Sequence, residues 1–123
     1  GELNGPPNRH GRLANMELLT IPEAADALDV ALTRAHQLVR DGQLVALRGT
    51  DGVRRVPADF VQDGLVVKGL PGVITVLRDA QYGDDEIVEW LFREDDSLPG
   101  APITALRENR GTEVKRRAQA AGY

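Results

Sequence analysis

The chain has 123 residues, enough for one domain, or for one small domain with an appended helical piece. It has no cysteine and only two histidines, so the composition excludes a disulfide framework, a cysteine zinc site and a catalytic centre rich in Cys or His. No apolar run approaches the roughly 20 residues of a membrane helix, and the first residues lack the basic and apolar regions of a signal peptide. We therefore expect a cytoplasmic protein.

The net charge of −4 is unevenly distributed along the chain. Residues 31–58 and 107–117 are rich in arginine and carry a positive balance, whereas residues 79–96 carry a strongly negative one. A binding surface responds to the local field and not to the total charge. The acidic total therefore does not exclude a nucleic-acid partner.

Two short helices are predicted after a flexible arm over residues 1–17, which lacks hydrophobic periodicity. Thr20 is a good N-cap, and Glu23 follows at the spacing of a capping box, so a helix is predicted over Glu23–Leu28. A second helix is predicted over Leu32–Asp41, with Gly42 as its stop. Because the connection between them is so short, the helices must meet at a sharp angle. This is the shape of a helix-turn-helix.

A β-hairpin is predicted directly after the second helix. Leu44–Arg48 and Val53–Pro57 have strand-like composition and flank a loop that contains an Asp-Gly pair, which is a strong hairpin signal. A hairpin in this position is a wing. A short helical turn is predicted over Pro57–Val61, and the apolar run Leu65–Val67 fits more than one type of element.

The remaining sequence predicts helices. They are expected over residues 73–77, 84–93, 103–110 and 112–121, with a linker over residues 97–102. The last helix has a short apolar face and is expected to fold back on its own domain. The predicted fold class is mainly α with a small β-hairpin wing: a flexible arm over residues 1–17, a winged helix-turn-helix over residues 18–61, and a helical C-terminal region over residues 62–123 packed on it.

The ordered segments LTIPEAA (19–25), LVRDGQLVA (38–46) and RRVP (54–57) resemble the winged helix-turn-helix of excisionase-like and MerR-like DNA-binding proteins. With KGLPG (68–72), EWLF (89–92) and EVKRRAQA (113–120), the chain resembles an actinobacterial DNA-binding family that includes a mycobacterial substrate of a Ser/Thr protein kinase. The resemblance implies a winged helix-turn-helix with a helical C-terminal region, and a Ser/Thr protein kinase as a second partner. No Ser or Thr precedes Thr20, so kinase regulation through an N-terminal threonine has no matching position here.

Candidate DNA-binding residues lie at the start of the second helix. In a helix-turn-helix this helix enters the major groove, with its N-terminal residues nearest the base edges. Arg and Gln can form two hydrogen bonds each to guanine and adenine. The candidates are therefore Thr33, Arg34, His36 and Gln37. An ordinary solvated helix face is about equally favoured for His36 or Gln37 taken singly, whereas Arg34 is the stronger candidate.

The wing adds Arg48, Arg54 and Arg55 as candidates for phosphate contacts. Consecutive residues of a strand point to opposite faces, so only one of Arg54 and Arg55 is expected to reach DNA easily. The other is expected to cover the core or to pair with an acid.

The sequence leaves two functional hypotheses open. The first is a non-enzymatic, sequence-specific regulator of transcription that binds double-stranded DNA and works at the nucleoid. The second is a protein-interaction adaptor that reuses the scaffold and docks a basic partner on the acidic helix 84–92. The positive charge on the second helix and wing favours DNA. No nucleophile–base pair, metal-ligand set or phosphate-binding loop is present, so we predict no enzyme activity, cofactor or metal.

Overall fold

The computed structural model describes residues 16–94 and 100–121. The predicted arm, apart from residues 16 and 17, and the first half of the predicted 97–102 linker, residues 97–99, lie outside the described residues. In chain order the elements are β1 (Leu18–Thr20), α1 (Ile21–Leu28), α2 (Leu32–Arg40), β2 (Leu47–Arg48), β3 (Arg54–Pro57), a 3₁₀ turn (Ala58–Phe60), β4 (Val61–Gln62), β5 (Leu65–Val66), α3 (Leu70–Asp79), α4 (Asp84–Phe92), α5 (Pro102–Arg107) and α6 (Gly111–Ala121). The predicted class, mainly α with a small antiparallel hairpin, is confirmed.

The first helix of the helix-turn-helix begins at the predicted capping box. The backbone N–H of Thr20 donates to Glu23 Oε1 at 2.8 Å, and the N–H of Glu23 donates to Thr20 Oγ1 at 3.3 Å. The helix begins two residues earlier than predicted, because Pro22 is accommodated in the first turn. It ends at Leu28, and the residue that follows, Asp29, caps it in a left-handed conformation with φ 57°. The second helix ends at Arg40, one residue before the predicted end.

The wing belongs to a three-stranded antiparallel sheet of order β1-β3-β2. Strand β1 pairs with β3, with Leu18 opposite Pro57 and Thr20 opposite Arg55, and the sequence did not predict it. The first strand of the hairpin is shorter than the predicted Leu44–Arg48, since only its last two residues pair with β3. The preceding Leu44–Ala46 segment is buried in the core without forming a strand.

A second hairpin connects the winged part to the C-terminal helices. Strands β4 and β5 pair with Val61 opposite Val66, which settles the type of element at the start of the Leu65–Val67 run. Asp63 and Gly64 make the turn with φ of 54° and 78°, a conformation that suits a Gly and that Asp tolerates.

The helical C-terminal half is confirmed, and its last helix folds back as predicted. Val114 and Ala118 of α6 are buried, and this helix packs against α3. Helix α4 begins at Asp84, but the residue that caps it is Gly83, whose N–H donates to Glu86 Oε1 at 2.8 Å. The helix therefore begins at the predicted residue, Asp84, and its N-cap is the residue before it.

One hydrophobic core joins the two halves of the described chain. It runs from Ile21 of α1 to Ala118 of α6 without a break. The ring of the fully buried Phe60 lies 6.0 Å from that of the half-buried Phe92, which packs against this core. A polar link adds to it, because Arg107 Nη1 donates to the carbonyl oxygens of Asp59 at 2.8 Å and of Val61 at 2.9 Å. Arg107 therefore stabilises the junction of the two halves.

Candidate nucleic-acid interface

The outer face of α2 presents the four residues that the sequence proposed for base contacts. Thr33, Arg34, His36 and Gln37 are all exposed, while Ala35 and the rest of the inner face are buried. Arg34 Nη1 donates to Gln37 Oε1 at 3.0 Å. The pair spans one turn of the helix, and it leaves the other guanidinium donors of Arg34 available. Two of the candidates therefore form one hydrogen-bonded unit.

The wing places two arginines directly opposite each other. Arg48 of β2 is the register partner of Arg54 of β3, and both side chains are exposed. Register partners share one face of a sheet, with Cβ atoms about 5 Å apart, and like charges at this distance repel. Such an arrangement costs free energy in the isolated protein and is relieved by an anion that lies between the two guanidinium groups.

Arg55 lies on the opposite face of the strand and is held by an acid. Its Nη2 atom lies 2.9 Å from Asp51 Oδ2, and its Nη1 donates to Asp51 Oδ1 at 3.3 Å. The same Oδ1 accepts the N–H of Val53 at 3.0 Å. A Cβ on Gly49 would lie 2.9 Å from Asp51 Oδ1 and would displace the pair. The expectation that one of the two consecutive arginines pairs with an acid is confirmed.

The pair lowers the pKa of Asp51 from its ordinary value of 3.8 to about 2, first through the hydrogen bond from Arg55 and then through the N–H of Val53. The same contact raises the pKa of Arg55. The pair of Asp51 and Arg55 stabilises the fold fully at pH values above 3.8, the pKa of Asp51 in the unfolded chain. This stabilisation is lost as the pH falls through about 2, the pKa in the folded protein. An NMR titration of the Asp51 carboxyl carbon should have its midpoint near 2. In Arg55→Met the midpoint should rise towards 3.8, whereas a wild-type midpoint already near 3.8 would contradict the pair.

A groove of about 310 Å³ separates α2 from the wing, and the sequence did not predict it. Leu32 and His36, one turn apart on α2, form one wall, and Val53 and Arg54 form the other. The start of α1 also belongs to the lining. The full lining is Thr20, Ile21, Pro22, Leu32, His36, Gly52, Val53 and Arg54. The groove therefore brings His36 and Arg54, two of the predicted DNA-binding residues, to one place.

Within residues 16–94 and 100–121, no group of three or more His, Cys, Asp or Glu side chains is arranged to hold a metal ion. In the same part of the chain, no helix has the length and apolar character needed to cross a membrane.

Comparison with known proteins covers both halves of the chain. Residues 7–61 match the family model described as "DNA-binding protein Rv2175c, wHTH domain", and residues 67–122 match "Rv2175c C-terminal domain of unknown function". DNA-binding protein Rv2175c of Mycobacterium tuberculosis is 39% identical over 115 residues, which cover 84% of this chain and 79% of that protein. The NMR structure of Rv2175c superposes with a TM-score of 0.80 at 37% identity, covering 89% of this chain and 83% of that one.

A shorter relative matches only part of the chain. An excisionase of Streptomyces ambofaciens is 43% identical over 47 residues, which cover 38% of this chain and 74% of that protein. The resemblance to excisionase-like proteins that the sequence indicated is therefore confirmed.

Proposed function

The chain belongs to the Rv2175c family of DNA-binding proteins, and from this membership we propose that it is a sequence-specific regulator of transcription that binds double-stranded DNA. In this proposal α2 enters the major groove, and the wing lies on the phosphate backbone. Residues 18–61 provide the interface, and residues 62–123 form the helical region that supports it.

The pair formed by Arg48 and Arg54 carries the proposal most directly. Two exposed cations in register on a short hairpin repel each other, and a phosphate bound between them removes that cost. The groove runs from Arg54 to His36 and Leu32 on α2, so the wing and the second helix border one continuous surface. A duplex can contact both at once.

We assign separate roles to the candidate residues. Arg34 and Gln37 read base edges as a hydrogen-bonded pair, while Thr33 and His36 flank them on the same helix. Arg48 and Arg54 bind phosphates. Arg55 acts through Asp51, by fixing the tip of the wing from the opposite face.

The other parts of the proposal follow from the family and from the sequence. The protein acts without catalysis, in the cytoplasm at the nucleoid. A Ser/Thr protein kinase is a proposed partner through the family resemblance alone. We further propose that the described part of the acidic segment, residues 79–94, lies on the face away from the duplex, because it would otherwise repel the phosphates.

A mobility-shift experiment tests the proposal. The full chain is titrated against the duplex that lies upstream of its own gene and against a scrambled duplex of the same composition, at several salt concentrations. We expect tighter binding to the upstream duplex, and affinity for both duplexes that falls as salt rises. Equal affinity for the two duplexes would remove the claim of sequence specificity. No binding to either would favour the protein-interaction adaptor.

The wing arginines should anchor the protein without selecting a sequence. We expect Arg48→Ala and Arg54→Ala each to weaken binding to target and scrambled DNA alike, because phosphates carry no direct sequence information. Each variant should also make the log–log dependence of affinity on salt shallower by about 0.9, since one fewer counterion is released. Mobility shifts at four salt concentrations measure both effects.

Arg93→Ala is the matched control for the wing. Arg93 is an exposed arginine that pairs with Glu89 on α4, outside the proposed interface, so its removal should leave the salt slope unchanged. A wing variant that loses specificity but keeps the wild-type slope would show that the wing reads bases or groove shape.

A further inference from the structure

We propose that the groove between α2 and the wing holds the 5-methyl group of a thymine, packed between Leu32 and Val53. The inference rests on the proposed DNA-binding function and adds to it a preference for one base. Neither residue belongs to the set that the sequence proposed for DNA contacts.

Exposed apolar side chains are concentrated at this groove. Among the described residues, the large apolar side chains that remain exposed are Leu32 at 47%, Val53 at 40% and Leu65 at 69%. The first two belong to the lining of the groove, one from α2 and one from the wing, and the third lies elsewhere on β5. Two exposed apolar side chains that share one groove form a small patch that a ligand can cover.

The position of Leu32 suits a contact with a base. It is the first residue of α2, and the N-terminal residues of a recognition helix lie nearest the base edges. His36 follows one turn later on the same wall. A base that meets Leu32 in the major groove is therefore within reach of the residues that we assign to base reading.

The charges around the groove favour a polyanion as its occupant. Arg54 belongs to the lining, and of the described residues that line the groove none is acidic. Two carboxylates that adjoin lining residues in the sequence have partners of their own, because Glu23 accepts the N–H of Thr20 and Asp51 pairs with Arg55. Duplex DNA can place a phosphate on Arg54 while a base edge faces Leu32.

Thymine is the DNA base that fits apolar walls. In the major groove it presents a 5-methyl group, which apolar side chains contact directly, whereas cytosine presents an amino donor at the neighbouring position. Cytosine carries only a hydrogen in place of that methyl group, so it would leave the apolar surfaces of Leu32 and Val53 uncovered. The groove therefore selects thymine over cytosine at one position of the site.

The test replaces thymines one at a time. The probe is a duplex of about 24 base pairs, a length of roughly two helical turns, recovered by selection from a random pool with the full chain. Each thymine is exchanged in turn for deoxyuridine, which lacks the methyl group alone. We expect one position at which the exchange weakens binding by roughly three- to fivefold, the value of one buried methyl group. In Leu32→Ala and in Val53→Ala, the ratio of the dissociation constants of the deoxyuridine and thymine duplexes should fall towards one.

Leu65→Ala is the matched control, because it removes the same atoms from an exposed leucine outside the groove. It should keep the full effect of deoxyuridine. Far-ultraviolet circular dichroism and thermal melting establish that all three variants are folded.

The outcomes separate this inference from the function on which it rests. If the pool yields no duplex that binds better than a scrambled one, the proposed function itself fails. If a specific duplex is found and no deoxyuridine weakens binding, or if the effect persists in both groove variants, the thymine contact is overturned. A change in sedimentation coefficient in Leu32→Ala, with no deoxyuridine effect in the wild type, would assign the groove to a second copy of the chain.

Discussion

Replacing Arg34 by Ala is expected to remove most of the discrimination between target and scrambled DNA. Arg34 lies in the first turn of α2, is exposed, and has guanidinium donors beyond the one that Gln37 accepts. A two-bond contact to guanine is worth about 1–3 kcal/mol of discrimination. The ratio of the two dissociation constants should therefore fall by about five- to 150-fold. Mobility shifts with both duplexes at one fixed salt concentration measure it.

Arg40→Ala is the control for charge. Arg40 is exposed on the same helix, but it lies in the last turn, away from the N-terminal residues that approach base edges. Its removal should weaken binding to both duplexes without changing their ratio. If Arg34→Ala gives the same result as Arg40→Ala, Arg34 belongs to the solvated face and base reading lies elsewhere on α2.

The hydrogen bond between Arg34 and Gln37 leads us to expect that the two side chains act together. Gln37→Ala leaves the guanidinium of Arg34 without its intrahelical acceptor, so part of the discrimination should be lost through Arg34. In a double-mutant cycle the two substitutions should then be clearly non-additive. Additive losses would mean that the two side chains act independently.

The helix-turn-helix was predictable because its signals are local. The capping box of Thr20 and Glu23 and the stop at Gly42 each depend on residues a few positions apart. Strand β1 was not predictable from local signals, since its three residues are ordered by pairing with β3, which lies far along the chain. The β4–β5 turn carried a local signal in Asp63 and Gly64, the same dipeptide as at the wing tip, which would have predicted the second hairpin.

The sequence predicted which residues lie at the candidate site, but not which hydrogen-bond partners they have. Composition and position on α2 pointed to Arg34, yet nothing in the sequence shows that Gln37 accepts its hydrogen bond. Alternation along β3 predicted that one of two arginines faces away, and the structure identifies it as Arg55. Arg107 was counted with the basic segment, although its guanidinium donates to two backbone carbonyls. Such differences depend on which elements pack together, and this is not a local property.

The largest loss of stability is expected from removing the C-terminal helices. Truncation after Leu70 takes away α3 apart from its first residue, together with α4, α5 and α6, whose buried side chains complete the core that begins in α1. It also removes Phe92 from Phe60 and Arg107 from the carbonyls of Asp59 and Val61. The winged part that remains is near the lower size limit for independent folding. We expect it to lose the cooperative thermal transition of the full chain, as followed by circular dichroism.

A point variant makes the same argument without shortening the chain. Leu91 of α4 is fully buried, so Leu91→Ala should lower the free energy of unfolding by about 2–5 kcal/mol. Leu65→Ala deletes the same atoms from an exposed site and should change it by less than about 0.5 kcal/mol. Saturating target DNA should restore part of the lost melting temperature in Leu91→Ala, because DNA binds the folded chain alone. A truncated protein that melts cooperatively at the wild-type temperature would show that the winged part folds by itself and that its stability does not depend on the shared core.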